Sequence, residues 1–285
     1  MTRALIWWRL TLVGITSGLL ITTSFARADH HEKKDGVPSA LQSIIAGTHR
    51  AEADKARDKY RHPLETLNFF GVKDNITVVE IWPGDGWYTD ILAPLLKEKG
   101  TYYAAGLDPQ SSTEGRRTRA QRYQEKLAAN PALFDKVKLT VLDPPTKVDI
   151  APEGSADMVL TFRNVHNWMG GDSADAVFKA MFRALKPGGT LGVVEHRGNP
   201  AVPQDPKAAS GYVNEDVVIK MAEAAGFKLA GKSEINANPK DTKDYPQGVW
   251  TLPPVLRLKD VDKEKYLAIG ESDRMTLKFV KPAVN

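Results

Sequence analysis

Three groups of polar residues stand at the ends of apolar runs, where an α/β sheet meets its ligand. The first is Glu80-Ile81-Trp82-Pro83-Gly84-Asp85-Gly86, in which the β-branched run from Ile76 carries an acid into a tight turn. Two glycines there permit positive φ and let backbone N–H groups approach a ligand, because no Cβ intervenes. Glu80 can accept hydrogen bonds or pair with a cation, and Asp85 shares the turn. The second group is Asp108 and Asp143, each closing an apolar run and each followed by proline. Asp108 lies 24 residues beyond Gly84, close to the spacing at which an acid accepts from a ribose hydroxyl in dinucleotide-binding folds. The third group is Asn164, His166, Asn167 and Trp168 after one run, with Glu195, His196 and Arg197 after another. Neutral imidazole is a base available near neutral pH, and a guanidinium attracts anions. His166, His196, Asn164 and Arg197 are therefore the candidate catalytic residues. Glu80, Gly84, Asp85, Gly86, Asp108 and Asp143 are the candidate binding set. Each also has a plainer role available, such as an aspartate that starts a proline turn or a histidine that only packs.

Strands and helices must alternate to bring these groups to one edge. Strand-like runs occur at Ile76–Ile81, Tyr102–Leu107, Val137–Leu142, Ala156–Phe162 and Thr190–Val194, with a sixth ending near Ile235 and a seventh at Arg274–Val280. Helical patterns fall at Trp87–Lys97, Ser111–Ala129, Ser173–Leu185 and Asn214–Ala225, after a helical lead-in from Ser39 to Phe70 that pauses at Gly47 and breaks at His62-Pro63. In Ser111–Ala129 the apolar stripe is Ala120, Tyr123 and Leu127. Arg116, Arg117, Arg119 and Arg122 are accordingly read as a solvated face. Lys186-Pro187-Gly188-Gly189 stops its helix and turns the chain into the next strand. Residues 198–211 read as a lid, and 236–270 is too long for a hairpin loop and is expected to wrap over the site.

Residues 1–28 have the form of a secretory signal peptide: Arg3 and Arg9, an apolar run, and Ala26-Arg27-Ala28 as the cleavage site. The expected location is periplasmic or secreted, with no membrane span after cleavage. Removing them takes away three arginines and no acid, so the net charge falls from +4 to +1, which gives no argument for nucleic acid. The 257 residues left suit one α/β domain. The expected division is 1–28 signal peptide, 29–70 tail and helical lead-in, and 71–285 the domain, with insertions at 198–211 and 236–270. The chain has no cysteine, which excludes disulfides, thiolate metal sites and cysteine nucleophiles. His30 and His31 lie in a polar run beside the cleavage point.

The turn at Glu80–Gly86 resembles the first motif of class I S-adenosylmethionine (SAM) dependent methyltransferases, an acid followed by alternating glycines; Trp82 stands where the first glycine would be. Within that superfamily Trp-Pro-Gly-Asp-Gly-Trp-Tyr-Thr looks most like a group of exported bacterial methyltransferases. Leu-Lys-Pro-Gly-Gly before the fifth strand is the most specific agreement, and Ala-Ala-Gly-Phe before the sixth is another. The resemblance implies a Rossmann-like seven-stranded sheet, mostly parallel with the last strand antiparallel, and helices on both faces. It implies SAM as cofactor and a small-molecule methyl acceptor. In it the glycines pass the methionine part, Asp108 holds the ribose, Asp143 the adenine amino group, and Glu80 lies near the cofactor's amino group or orders the loop.

The competing reading is a non-catalytic exported module of the same fold that binds a nucleoside-like or other small ligand. A nicotinamide dehydrogenase would need glycine where Thr89 stands. There is no Gly-x-Ser-x-Gly elbow and no His-Glu-x-x-His helix. His166, His196 and Glu195 have ligand chemistry, but their spacing does not demand a metal, and none is expected. Oligomeric state has no signal in the sequence.

Overall fold

Seven strands form one sheet in the computed structural model, which describes residues 39–283. They are β1 (Thr77–Ile81), β2 (Thr101–Gly106), β3 (Lys138–Val141), β4 (Ala156–Phe162), β5 (Leu185–His196), β6 (Lys228–Ser233) and β7 (Arg274–Val280), in the order β3-β2-β1-β4-β5-β7-β6. Strands β1 to β5 pair in parallel, while β7 runs antiparallel to both β5 and β6. This is the Rossmann-like sheet expected from the sequence. The signal segment, its cleavage point, His30 and His31 lie outside the described residues. No helix among the described residues is long and apolar enough to cross a membrane.

Helices cover both faces because alternate strand residues point to opposite sides. They are α1 (Ala40–Ile45), α2 (Glu52–Lys55), α3 (Asp58–Arg61), α4 (Pro63–Phe70), α5 (Thr89–Leu96), α6 (Glu114–Ala129), α7 (Pro131–Phe134), α8 (Val165–Gly170), α9 (Ala174–Ala184), α10 (Glu215–Ala224) and α11 (Lys263–Ile269). Val79, Ile81, Val159, Leu191 and Val193 pack with Trp168, Phe178, Met181 and Val218 of α8–α10. On the other face Val78, Met158, Leu160, Phe162 and Val194 pack with Leu67 and Phe70 of α4, Ile91 and Leu92 of α5, and Tyr123 and Leu127 of α6.

Two elements differ from the sequence reading. The lead-in breaks at His62-Pro63 as expected, where His62 takes a left-handed conformation (φ 41°), but the stretch before it is three short helices, α1 to α3, where one helix with a pause at Gly47 was expected. The Lys186–Gly189 stretch lies within β5: Leu185 pairs with Ala156, Thr190 with Met158, and the residues between bulge out.

Gly192 lets α4 approach the sheet. A Cβ there would lie 2.7 Å from Leu160 Cδ2 and 2.9 Å from two ring carbons of the buried Phe70. Gly192→Ala should lower stability in urea denaturation by about 1–3 kcal/mol, the usual cost of overpacking. An unchanged midpoint would show that Phe70 has room to retreat.

Candidate active site

A crevice of about 550 Å³ opens at the carboxyl ends of the parallel strands, where the strand order reverses about β1. Its wall is built from Trp82–Asp85 after β1, Gly106, Leu107 and Pro109 around the end of β2, Leu139–Val141 of β3, and Asn164 and Asn167 after β4. Gly84 (φ 61°) and Gly86 (φ 83°) supply the left-handed backbone that the turn requires. A Cβ at Gly84 or at Gly106 would meet nothing within 4 Å, so both glycines front open space. Gly86 is different, since a Cβ there would strike Lys126 at 2.8 Å. Trp82 is itself left-handed (φ 45°), and its indole Nε1–H donates to the Leu142 carbonyl at 3.0 Å. The ring thus ties the end of β1 to the end of β3 and stands as a wall of the crevice.

Of the candidate binding residues, Gly84 and Asp85 line this crevice. Asp108 and Asp143 are each joined to a cation. Lys147 Nζ donates to Asp108 at 2.6 Å and the Gln110 N–H donates at 3.0 Å, and both hold the Asp108 carboxyl below its ordinary range. Arg116 donates to Asp143, and its guanidinium lies 5.6 Å from the Trp82 ring centre. Glu80 is buried and accepts from the Tyr102 and Thr89 hydroxyls, so it orders the strand end from within. Arg116, Arg119 and Arg122 of α6 line the crevice, whereas the sequence pattern assigns them to a solvated face. That pattern identifies the buried stripe of a helix but not what the opposite face overlooks.

The second group of residues meets beside the crevice. Glu195, fully buried, accepts from the backbone N–H of Val165 (2.5 Å), His166 (3.4 Å) and His196 (2.7 Å), and its Oε1 lies 3.0 Å from His166 Nδ1. The two imidazoles are 5.4 Å apart, and the ligand atoms of His166, Glu195 and His196 lie within 4.8 Å of one another. His196 Nδ1 lies 2.5 Å from Ser272 Oγ. Burial, then His166, Arg274, Arg163 and Arg61, hold His196 well below the ordinary histidine range, so it is neutral. Asn164 donates to the Ile81 carbonyl at 2.9 Å and to Thr161 Oγ1 at 3.2 Å, joining the loops after β4 and β1. Arg197 is paired with Glu234, Asp273 and Glu215, and Glu234, then Asp273, raise its pKa. Trp250, from the 236–270 segment, sets its ring against His166 at 6.0 Å, and the Val249 N–H donates to Ser210 O, so the two insertions meet there. Tyr88, stacked on Phe162, and Arg163 also stand at this edge. In the sequence they are the second of an aromatic pair after the glycine turn and an arginine at the end of β4.

No protein-family model matches the chain, and no curated protein matches it. Solved structures share its fold. One is a SAM dependent methyltransferase from Aquifex aeolicus, with TM-score 0.53 and 16% identity, covering 79% of this chain and 93% of that one. Another is the [4+2]-cyclase SpnF, with TM-score 0.51 and 14% identity, covering 86% and 93%. The fold is that of SAM-dependent methyltransferases; at these identities the likeness extends to fold alone.

Burial pushes Glu80 up from its ordinary 4.5 to about 7, against the hydrogen bonds from Tyr102 and Thr89. Because the folded-state value is the higher one, its stabilising contribution is complete below about pH 4.5 and is lost as pH rises through about 7. Glu80→Gln should remove this dependence. Urea denaturation across that range should show the wild type losing roughly 3 kcal/mol relative to the variant. Parallel stability curves would contradict the assignment.

Proposed function

We propose that the protein is an exported SAM-dependent methyltransferase acting on a small-molecule acceptor. The observation that carries this reading is the crevice at the sheet's switch point, with Gly84 and Gly106 fronting open space. Its volume of about 550 Å³ is that of a small-molecule site. The residues suit the cofactor: an open glycine cradle, and carboxylates at the ends of β2 and β3. A carboxylate offers several lone pairs, so Asp108 and Asp143 can accept from ribose and adenine while keeping Lys147 and Arg116.

SAM, when bound, supplies an electrophilic methyl group, so the protein's share is alignment and proton removal. His166 is the better base. Glu195 accepts a hydrogen bond from Nδ1–H, and this tautomer leaves the Nε2 lone pair to receive the acceptor's O–H or N–H proton. His196, held neutral, adds no charge that would oppose this transfer. Asn164 and Arg197 act by position, through the loops they join. A second reading, ligand binding without turnover, draws on Asp108 and Asp143 already being ion-paired.

Isothermal titration with SAM should give saturable binding. Asp108→Ala should weaken it, and Gly106→Val, whose Cβ meets no atom within 4 Å in the free protein, should abolish it while leaving the unfolding midpoint near wild type. Absence of SAM binding, or binding indifferent to Gly106→Val, would refute this reading. Transfer of labelled methyl to an acceptor in a periplasmic extract separates the enzyme from the binding module.

A further inference from the structure

The arginine best placed to meet a substrate is Arg163, at the end of β4. Its backbone is left-handed (φ 61°), a conformation that persists only where the surroundings impose it. The Arg163 N–H donates to Val194 O at 2.7 Å, which anchors it to β5. Among the described residues its guanidinium makes no hydrogen bond and no ion pair. Burial and then Arg274 lower its pKa to about 10, so it remains a cation at neutral pH.

The neighbours do not supply the missing anion. Arg57, Arg61 and Arg274 converge on one carboxylate, Glu271, with Arg57 Nε at 2.6 Å and Arg61 Nε at 3.2 Å. Four guanidiniums therefore share a single acid. Glu80, the next acid, is occupied by Tyr102 and Thr89. Asp273 belongs to Arg197 and Lys243. Arg163 is half-buried beside Arg61, Arg274 and Glu271, which are buried, and uncompensated positive charge next to such a cluster is costly unless an anion joins it.

Other partnerless groups surround the same spot. The Tyr88 ring stacks on Phe162 at 3.5 Å, next to Arg163, and its hydroxyl has no hydrogen-bond partner among the described residues although only 3% of the residue is exposed. His196 pairs across the sheet with Arg274, so the two side chains leave the same face. The Nε2 atoms of His196 and His166 are likewise without partners. A guanidinium fork, a phenol and an imidazole are donors suited to two oxygens of an anion. A metal on His166, Glu195 and His196 fits less well. Glu195 already accepts from three backbone N–H groups, and the arginines would repel a cation.

We propose that Arg163, with Tyr88 and His196 beside it, binds an oxyanion, a carboxylate or phosphate group, carried by the molecule on which this protein acts. Calling that molecule the methyl acceptor rests on the function proposed above; the anion site does not.

The test is imidazole NMR of the histidine-labelled protein without SAM at constant ionic strength, titrated separately with benzoate and inorganic phosphate. Resonances of His166 and His196 should shift saturably with one of them, with a dissociation constant of about 1 mM or tighter. His30, His31, His49 and His62 should stay still. Whichever anion saturates identifies the class. Arg163→Gln should weaken binding about tenfold or more, and Arg163→Lys less. Without anion, the Arg163→Gln midpoint should equal or exceed wild type, because an uncompensated charge is gone. Linear shifts with both anions, undiminished binding in Arg163→Gln, or stoichiometric response to Zn²⁺ alone would overturn the proposal. Since SAM is absent, this result and the SAM titration can fail independently.

Discussion

The carboxylate of Glu195 is the point on which the carboxyl edge of the sheet depends. It is fully buried, yet it gathers the N–H groups of Val165, His166 and His196 and the ring nitrogen of His166. One side chain thus satisfies the start of α8, terminates β5 and orients an imidazole. α8 is six residues long and could not hold this geometry by propensity alone. Buried acceptors of this kind are expensive to disturb, since removing one strands several donors at once. The position of His166 is therefore inherited from the sheet.

Charge is sorted along the same edge. Around β1–β3 three of the buried or half-buried acids each have a cation: Asp90 has Lys126, Asp108 has Lys147, and Asp143 has Arg116. Around β4, β5 and β7 the balance reverses, with Arg57, Arg61, Arg163 and Arg274 against Glu271. Although burial opposes ionisation of Glu271, Arg274, Arg61, Arg57 and Arg163 hold it well below the ordinary glutamate range. The first half thus carries paired carboxylates, and the second an excess of N–H donors. The glycine crevice lies at one end of this edge and the two imidazoles near the divide.

Much of the fold was legible in the sequence, because β4 and β7 are apolar runs bounded by turn residues, and their ends coincide with the observed strands. The lead-in was legible at His62-Pro63, where proline starts a new helix, but less so before it, because helical periodicity does not register the turns that divide α1, α2 and α3. Site residues divide in the same way. Motif spacing picked out Gly84 and Asp108, whose placement follows from local strand–turn geometry. It also picked out Arg197, whose partners Glu215, Glu234 and Asp273 lie far along the chain and become neighbours only through β7 and α10. Arg163 stood in plain view, but its lack of a partner is a property of three-dimensional charge balance, which no local pattern encodes.

Trp82 bears most directly on whether the fold's usual ligand fits. A tryptophan in place of a glycine would fill the crevice if its ring turned outward. Here the indole is held sideways by the Leu142 carbonyl and by edge contact with Trp168, ring centres 6.2 Å apart. A crevice of about 550 Å³ remains beside it. The left-handed backbone at Trp82 is compensated by that hydrogen bond and that packing, so the turn keeps its shape by side-chain anchoring where glycine would have adopted it freely. The fold is shared by a methyltransferase and by a cyclase, so it does not choose the chemistry. What the side chains add is an imidazole oriented by a buried carboxylate, beside a crevice with open floor at Gly84 and Gly106.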